Sequence, residues 1–366
     1  MVLKLTGTMH NYAWGDREAI ADLQGREPTG APEAELWFGA HPSAPALTSE
    51  GPLDEVYARE SAAPLPFMVK LLAAAKPLSL QAHPSRSQAR AGFARENAAG
   101  IARDAAHRNY KDANHKPEIL IALTPFRAMA GFRPLAGTLE LVRAFDLPEL
   151  ADIEHSLADA SLTPRDRLSR TLERAMGSSA AAAVGRRAAE LKGRPGVVGE
   201  VAANLEEIAR EYPGDSGVVA AMLLNHVCLE PGEAIFLPAG NLHAYLRGLG
   251  VEVMASSDNV LRGGLTQKHV DSRELFSILR FDTLEDPTVA PERGRYAVDV
   301  DDFAVAVVPS GESVTGPAIV LNVSGSLAVE DVELGPGEAA WVSSRDGAVV
   351  LDGKNSCAFV AAIPRD

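Results

Sequence analysis

The stretch "PGEAIFLPAGNLHAYL", residues 231–246, is the part of the sequence that says most about the fold. A Pro-Gly-Glu turn leads into a short apolar run, a Pro-Ala-Gly break follows, and His243 then stands on the next run. A similar pattern, "GPGEAAWVSS", begins at Gly335. A turn that enters a strand, present twice, predicts two related all-β modules. The second copy has no histidine at the matching place, so we expect it to be structural.

A second polar pattern lies upstream, in "SLQAHPSRSQA", residues 79–89. Strand side chains alternate between faces with a period of two, so Ser79, Gln81 and His83 point to one face. Taken alone, such residues are ordinary polar side chains whose hydrogen bonds are satisfied locally. A functional site here therefore requires partners from elsewhere in the chain.

The first Pro-Gly-Glu copy resembles the second conserved motif of the cupin superfamily, small jelly-roll barrels in which the histidine of this motif binds a metal ion. In the first cupin motif, two histidines one residue apart precede a glutamate. Here Gln81 and His83 take that place, and Glu118 in "NHKPEILIAL" is the candidate glutamate, after a helical insertion at about 85–113. Two imidazoles, a carboxylate and an amide oxygen suit a borderline divalent ion with coordination positions left open. The resemblance predicts one divalent ion per chain, with His243 as the fourth ligand.

Regions of different character follow one another along the chain. Short apolar runs broken by Pro and Gly give way at about Leu135 to helical patterns rich in Ala, Leu, Glu and Arg, and strand character returns at His226. Thr163 before Pro164 predicts a helix start. We expect a mainly β chain with a helical domain. The predicted parts are a catalytic cupin-type jelly roll (1–135 and 225–290), an inserted α-helical domain (136–224) and a C-terminal jelly-roll module (291–366).

Composition limits the classes of function. The 366 residues have ordinary apolar and charged fractions, and the formal net charge of −14 argues against a nucleic-acid partner. Only Cys228 and Cys357 are present, which excludes a disulfide framework and favours a reducing compartment. No signal peptide or long apolar run is evident, so we expect a soluble cytoplasmic protein without membrane contact. The oligomeric state stays open, a monomer included.

Six segments, in family order, make the sequence similar to the type I phosphomannose isomerases. They are "NYAWG" (11–15), "AELWFGAHP" (34–42), "LPFMVKLLAAAKPLSLQAHP" (65–84), "NHKPEI" (114–119), "YPGDSGVVAAMLLNHV" (212–227) and "GNLHAYLRGLGVEVMASSDNVLRGGLTQKHVD" (240–271). The departures are small: Gln267 stands where the family commonly has proline, and Ser256 where asparagine is common. Neither is a proposed ligand.

The resemblance implies a zinc-dependent enzyme that interconverts mannose 6-phosphate and fructose 6-phosphate, with a small sugar phosphate as its partner. It implies the same metal ligands as the cupin motifs, and it marks Arg262 as catalytic. It also implies a set of residues around the substrate: Trp14, Lys70, Ser79, Lys116, Tyr245, Glu252, Asp258 and Lys268.

Aldose-ketose isomerisation moves a proton between two carbons through an enediolate, so the site needs a base and a way to stabilise negative oxygen. For the base we name Glu252, with Lys116, His115 and Asp258 as rivals. Arg262 would stabilise the oxyanion, or it would be a structural arginine paired with Asp258.

For the phosphate we name Lys268 and Ser79, with Lys70 and Lys116 as supporting cations. Trp14 and Trp37 are either walls of the pocket or part of the core.

Two other functions remain open at this point. Two histidines and a carboxylate also suit an iron-dependent cupin oxygenase, and the fold alone would also serve a sugar-binding module without turnover. The sequence does not choose between mannose catabolism and the supply of activated mannose, nor does it show the tolerance of other sugars.

Overall fold

The computed structural model describes residues 2–364, which form a larger and a smaller antiparallel β sheet and a region of helices. The first region contains β1 (Leu3–Leu5), β2 (Thr8–His10), α1 (Ala19–Leu23), β3 (Glu35–Gly39), β4 (Leu47–Thr48), β5 (Gly51–Pro52), α2 (Leu53–Ala58), β6 (Phe67–Ala74), β7 (Leu80–Ala82), α3 (Arg86–Ala98), β8 (Glu118–Ala122) and β9 (Phe126–Phe132). The helical region contains α4 (Leu135–Phe145), α5 (Ala151–Ala158), α6 (Pro164–Met176), α7 (Ala181–Leu191), α8 (Val197–Glu211) and α9 (Gly217–Ala220).

Strands dominate the remainder of the chain. The next elements are β10 (Leu224–Leu229), β11 (Ala234–Leu237), β12 (His243–Ala255), β13 (Leu261–Gly264) and α10 (Ser272–Ile278). The last are β14 (Thr288–Val289), β15 (Arg295–Tyr296), β16 (Ala304–Val308), β17 (Ser313–Thr315), β18 (Ala318–Val329), β19 (Val332–Leu334), β20 (Glu338–Val342) and β21 (Ala348–Ala362). The prediction of a mainly β chain with a helical region is confirmed.

The larger sheet is the cupin-type barrel, and β12 holds its two sides together. One side has the strand order β14-β11-β8-β12-β6-β3-β2. On the other side β12 pairs with β7 and β9, and these pair with β13 and β10. A single strand can serve both sides because it is long and bends at an irregularity between Tyr245 and Arg247. Residues from both sides therefore face one interior.

Alternation along β6 shows how the barrel interior is kept separate from the apolar core. Met68, Lys70 and Leu72 face the barrel cavity. Val69 and Leu71 lie on the other face, in a core shared with the smaller sheet. Both faces are buried, which explains why this strand reads as an almost continuous apolar run.

The smaller sheet is formed mainly by the C-terminal strands, in the order β1-β20-β18-β21-β16-β15. Its second strand, β20, begins at the second Pro-Gly-Glu copy, so the prediction of two β modules is confirmed. The first strand of the chain joins this sheet, with Leu3 opposite Trp341. The division into segments at 135, 225 and 291 stays a prediction.

Two of the longer helices begin at a residue whose side chain caps them, as predicted for Thr163. Thr163 caps α6, with its hydroxyl accepting a hydrogen bond from the Asp166 backbone amide. Ser85 caps α3 through a capping box with Gln88. The predicted helical insertion over about 85–113 is too long, however, because α3 ends at Ala98.

Beyond α3 the chain continues as irregular backbone, in which Arg108 donates hydrogen bonds to the carbonyls of Ile101 and Tyr110. Both cysteines are free. Within residues 2–364, no helix has the length and hydrophobicity needed to cross a bilayer.

Candidate active site

Three strands bring the predicted metal ligands to one place in the barrel. His243 begins β12 and lies opposite Gln81 on β7. Gln81 in turn lies opposite Arg262 on β13. Glu118 begins β8, and His83 directly follows β7. The register of the sheet therefore places residues that are far apart in sequence around one point.

His83, Glu118 and His243 form a buried cluster, each about 1% exposed. The Nε2 atoms of His83 and His243 lie 3.3 and 3.4 Å from Oε2 of Glu118. All three potential ligand atoms lie within 4.8 Å of one another. This spacing is suitable for one metal ion between them.

The hydrogen bonds of the two imidazoles favour a cation at this point. Nδ1 of His83 contacts the Asn259 carbonyl at 2.7 Å, and Nδ1 of His243 contacts the Asn241 carbonyl at 3.0 Å. A carbonyl only accepts, so each Nδ1 carries a proton, which leaves Nε2 as the nitrogen of each ring that can bind a metal ion. Burial lowers the pKa of His83 to about 4, which keeps the ring neutral. Nε2 of His243 has no hydrogen-bond partner among the described residues.

These atoms are acceptors that face one another, an arrangement that fits a bound divalent cation and is costly without one. Lys116 Nζ lies 2.8 Å from the other oxygen of Glu118. Burial would raise the pKa of Glu118, but Lys116 and the histidines outweigh burial and hold it well below the usual range. The carboxylate is therefore ionised and ready to act as a ligand.

A second buried carboxylate, Glu252, lies in the same interior. The Tyr245 hydroxyl donates a hydrogen bond to its Oε1 at 2.8 Å, and Lys70 Nζ lies 3.0 Å from Oε2. Burial raises the pKa of Glu252, although Lys70 opposes the rise. Lys70 also lies 3.7 Å from Glu35 and over the ring of Trp37, so its charge is already balanced.

Glu118 of the metal cluster and Glu252 line one cavity of about 490 Å³. Apart from the rival base His115, the predicted catalytic and substrate-binding residues all line it: Trp14, Lys70, Ser79, Lys116, Tyr245, Glu252, Asp258, Arg262 and Lys268. Gln81 and Glu118 line it as well. The two tryptophans, Trp14 and Trp37, are walls of this cavity. The proposed roles of these residues stay predictions.

The rim of the cavity carries cations that lack acidic partners. Arg262 and Lys268 have no carboxylate within 4.0 Å among residues 2–364, so the structural pairing of Arg262 with Asp258 is not observed. Asp258 instead contacts His41, with 3.2 Å between Oδ1 and Nε2, and this hydrogen bond lowers its pKa. Lys268 belongs to residues 264–268, called here the rim loop. Asp215 of the helical region accepts a hydrogen bond from the rim-loop amide of Thr266.

One of the rival bases, His115, lies outside the cavity. Several residues that line the cavity were not predicted from the sequence. His115 Nε2 lies 2.5 Å from Asp302, beside a different cavity. The lining residues not predicted include Tyr12, Glu35, His41, Lys111 and Tyr212. Glu35 could have been found, since it precedes Trp37 by two positions on one strand and shares its face.

Comparisons with known proteins agree with this site. The family model for the catalytic domain of type I phosphomannose isomerases matches residues 2–135. The mannose-6-phosphate isomerase of Escherichia coli (strain K12) is 37% identical over 403 residues, with 98% of each chain covered. That of Bos taurus is 30% identical and covers 100% of this chain and 96% of its own.

Solved structures give the same result. A zinc-bound mannose 6-phosphate isomerase matches with a TM-score of 0.87 and 35% identity, over 99% of this chain and 100% of the other. A lysine-to-alanine variant of phosphomannose isomerase from Salmonella typhimurium matches with the same score, identity and coverage. Agreement over nearly the full length of these chains shows that the protein belongs to the type I phosphomannose isomerase family.

Proposed function

We propose that this protein is a zinc-dependent aldose-ketose isomerase that interconverts mannose 6-phosphate and fructose 6-phosphate through a cis-enediolate. The observation that carries the proposal is the buried cluster of His83, Glu118 and His243. Its glutamate lines a cavity together with the buried carboxylate of Glu252 and with cations that have no carboxylate within 4.0 Å in residues 2–364. The family relationship supports the same reaction.

Zinc is the expected metal, since relatives have been solved with zinc bound. His83, Glu118 and His243 would hold it, with Gln81 as the fourth ligand. Bound zinc would supply Lewis-acid polarisation of the substrate oxygens.

Glu252 is the best candidate for the base that moves the proton between C2 and C1. Burial raises its pKa, which makes it a stronger base than an exposed glutamate. The hydrogen bond from Tyr245 fixes the orientation of the carboxylate. Asp258 is the weaker base because His41 lowers its pKa, and Lys116 is held by Glu118.

Arg262 suits the stabilisation of the developing oxyanion, because no carboxylate neutralises it within the described chain. Lys268 and Ser79 are the expected phosphate contacts. Lys70 and Lys116 each have a close carboxylate, so we expect them to contribute to the local field more than to direct phosphate contacts.

The alternatives carried from the sequence fit less well. An iron-dependent oxygenase on this fold has no evident need for unpaired cations beside its metal. A binding module without turnover would not require a buried carboxylate of raised pKa next to the ligand cluster. A small sugar phosphate is thus the expected partner, no nucleic acid is expected, and the cytoplasm remains the expected location.

The test is an isomerase assay on the purified protein, with mannose 6-phosphate and free mannose as substrates. We expect fructose 6-phosphate to form, with a preference for the phosphorylated sugar of about a hundredfold or more from charge-assisted contacts. Oxygen consumption with added iron serves as the control for the oxygenase. Absence of fructose 6-phosphate from zinc-loaded protein would remove the proposal.

A further inference from the structure

Lys111 was not among the residues predicted from the sequence, but it lies on a segment that is hydrogen-bonded to residues of the active site. Its backbone amide donates a 2.7 Å hydrogen bond to Oδ1 of Asn259, which is fully buried. The same asparagine donates from Nδ2 to the carbonyls of Asp112 and Asn114. Its own carbonyl accepts from Nδ1 of His83. The backbone of Lys111 is therefore fixed by the residue that orients a proposed metal ligand.

Side-chain hydrogen bonds fix the segment further. Oδ1 of Asp112 accepts from the Ser257 hydroxyl at 2.9 Å, and Oδ2 accepts from the Asp258 amide at 2.8 Å. The preceding residue, Tyr110, is 1% exposed. These hydrogen bonds fix the backbone position of Lys111, so its side chain extends from a defined point at the cavity.

The side chain of Lys111 lines the same cavity as Lys268 and Arg262. None of these cations has a carboxylate oxygen within 4.0 Å in residues 2–364. The two other lysines of the cavity, Lys70 and Lys116, are buried and each has such a partner. The cavity thus separates neutralised cations in its interior from unneutralised cations at its rim.

Electrostatics supports this separation. Burial lowers the pKa of Lys268 first, and repulsion from Arg262 and Lys111 lowers it further, so the three charges are close enough to oppose one another. Asp258 interacts with Lys111, but its carboxylate is engaged by His41. The chain has 49 acidic and 35 basic residues, so a group of cations without acidic partners is unexpected. We infer that Lys111, Lys268 and Arg262 face the cavity because they bind an anionic ligand.

We propose that Lys111 is a substrate-binding residue that receives the phosphate of the sugar phosphate together with Lys268, and so sets the preference for phosphorylated sugars. This inference rests on the proposed function for the identity of the substrate. Binding of an anion by the cations of the rim can be measured whether or not the protein isomerises the sugar. An ordinary solvated surface lysine would give no such preference.

The experiment compares Lys111→Met, which removes the charge and keeps the length, with Lys111→Arg, which keeps the charge. Lys192→Met is the matched control, because Lys192 is a half-exposed lysine of the helical region near Glu206. The readouts are kcat and KM for mannose 6-phosphate, and the dissociation constant of inorganic phosphate by calorimetry. For Lys111→Met we expect KM and the phosphate dissociation constant to rise about ten- to a hundredfold, the effect of one charge-assisted hydrogen bond.

We expect kcat to change little, Lys111→Arg to recover most of the phosphate affinity, and the control variant to behave as the parent. Unchanged KM and phosphate affinity in Lys111→Met would overturn the inference. A chain that binds phosphate through Lys111 yet does not isomerise would overturn the proposed function and leave this inference standing.

Discussion

Tyr245 donates a buried hydrogen bond to Glu252, and its removal tests whether Glu252 is the base. The Tyr245→Phe substitution deletes the hydroxyl and keeps the ring, which packs edge-on against Phe126. The pKa of Tyr245 is raised well above its ordinary value, chiefly by burial, so the hydroxyl stays protonated and donates. A donated hydrogen bond stabilises the ionised form of the carboxylate.

The size of the effect follows from that hydrogen bond. A hydrogen bond to a charged group contributes about 1.5–3 kcal/mol, and one pKa unit corresponds to about 1.4 kcal/mol. Removal of the hydroxyl should therefore raise the pKa of Glu252 by about one to two units. A base must be deprotonated to act, so the acidic limb of the pH profile of kcat/KM should move to higher pH by the same amount. At pH values well above the acidic limb, kcat/KM of the variant should fall much less than it does on the limb.

The assay is the pH dependence of kcat/KM for mannose 6-phosphate in the parent and the variant. Ionisation of the substrate phosphate affects both proteins equally and cancels in the difference. Tyr296→Phe is the control, because it removes a hydroxyl that donates to the Gly232 carbonyl, remote from the cavity lining. An acidic limb that stays in place, or moves to lower pH, in Tyr245→Phe would refute Glu252 as the base.

Further predictions follow from the base, the rim loop and the smaller sheet. Glu252→Gln should lower turnover by about two to four orders of magnitude. In deuterated water, the parent should form fructose 6-phosphate with deuterium at C1. Normal turnover in Glu252→Gln, together with no deuterium in the product of the parent, would contradict both predictions. Gly264→Ala adds a Cβ at a residue with a φ of +131°, 2.9 Å from the Cα of Gly217. This change should displace the rim loop and raise KM about tenfold. Gly193→Ala is the control and should have the parent KM, because Gly193 has open space around it. Leu5→Ala should lower the free energy of unfolding by about 2–5 kcal/mol with kcat/KM unchanged, measured by urea denaturation; a loss below about 1 kcal/mol would show that β1 contributes little.

Local patterns in the sequence were sufficient where the fold depends on local chemistry. The Pro-Gly-Glu turn and the Pro-Ala-Gly break placed His243 at the start of a strand, as observed. Thr163 predicted the start of α6 for the same kind of reason. The spacing of Gln81 and His83 predicted two side chains on one face, and the structure places Gln81 at the cavity and His83 in the cluster.

Features that depend on distant pairing were not accessible in this way. Strict alternation would place Tyr245 and Glu252 on opposite faces of β12, and only the irregularity between Tyr245 and Arg247 brings them together. The pairing of Leu3 with Trp341 leaves no local signal in either segment. His115 was named as a rival base, but in the structure its Nε2 contacts Asp302 instead of lining the active-site cavity.

Dependence of the isomerase on one bound zinc ion is tested by a zinc titration of the metal-free protein, with the rate of conversion of mannose 6-phosphate to fructose 6-phosphate as the readout. We expect almost no turnover before zinc is added, a linear rise in rate as zinc is added, and a plateau at one zinc per chain. His243→Ala should show no such rise, because it removes one of the three buried ligand atoms. Full turnover by the metal-free protein, or the same titration curve for His243→Ala, would show that zinc bound by this cluster is not needed for the reaction.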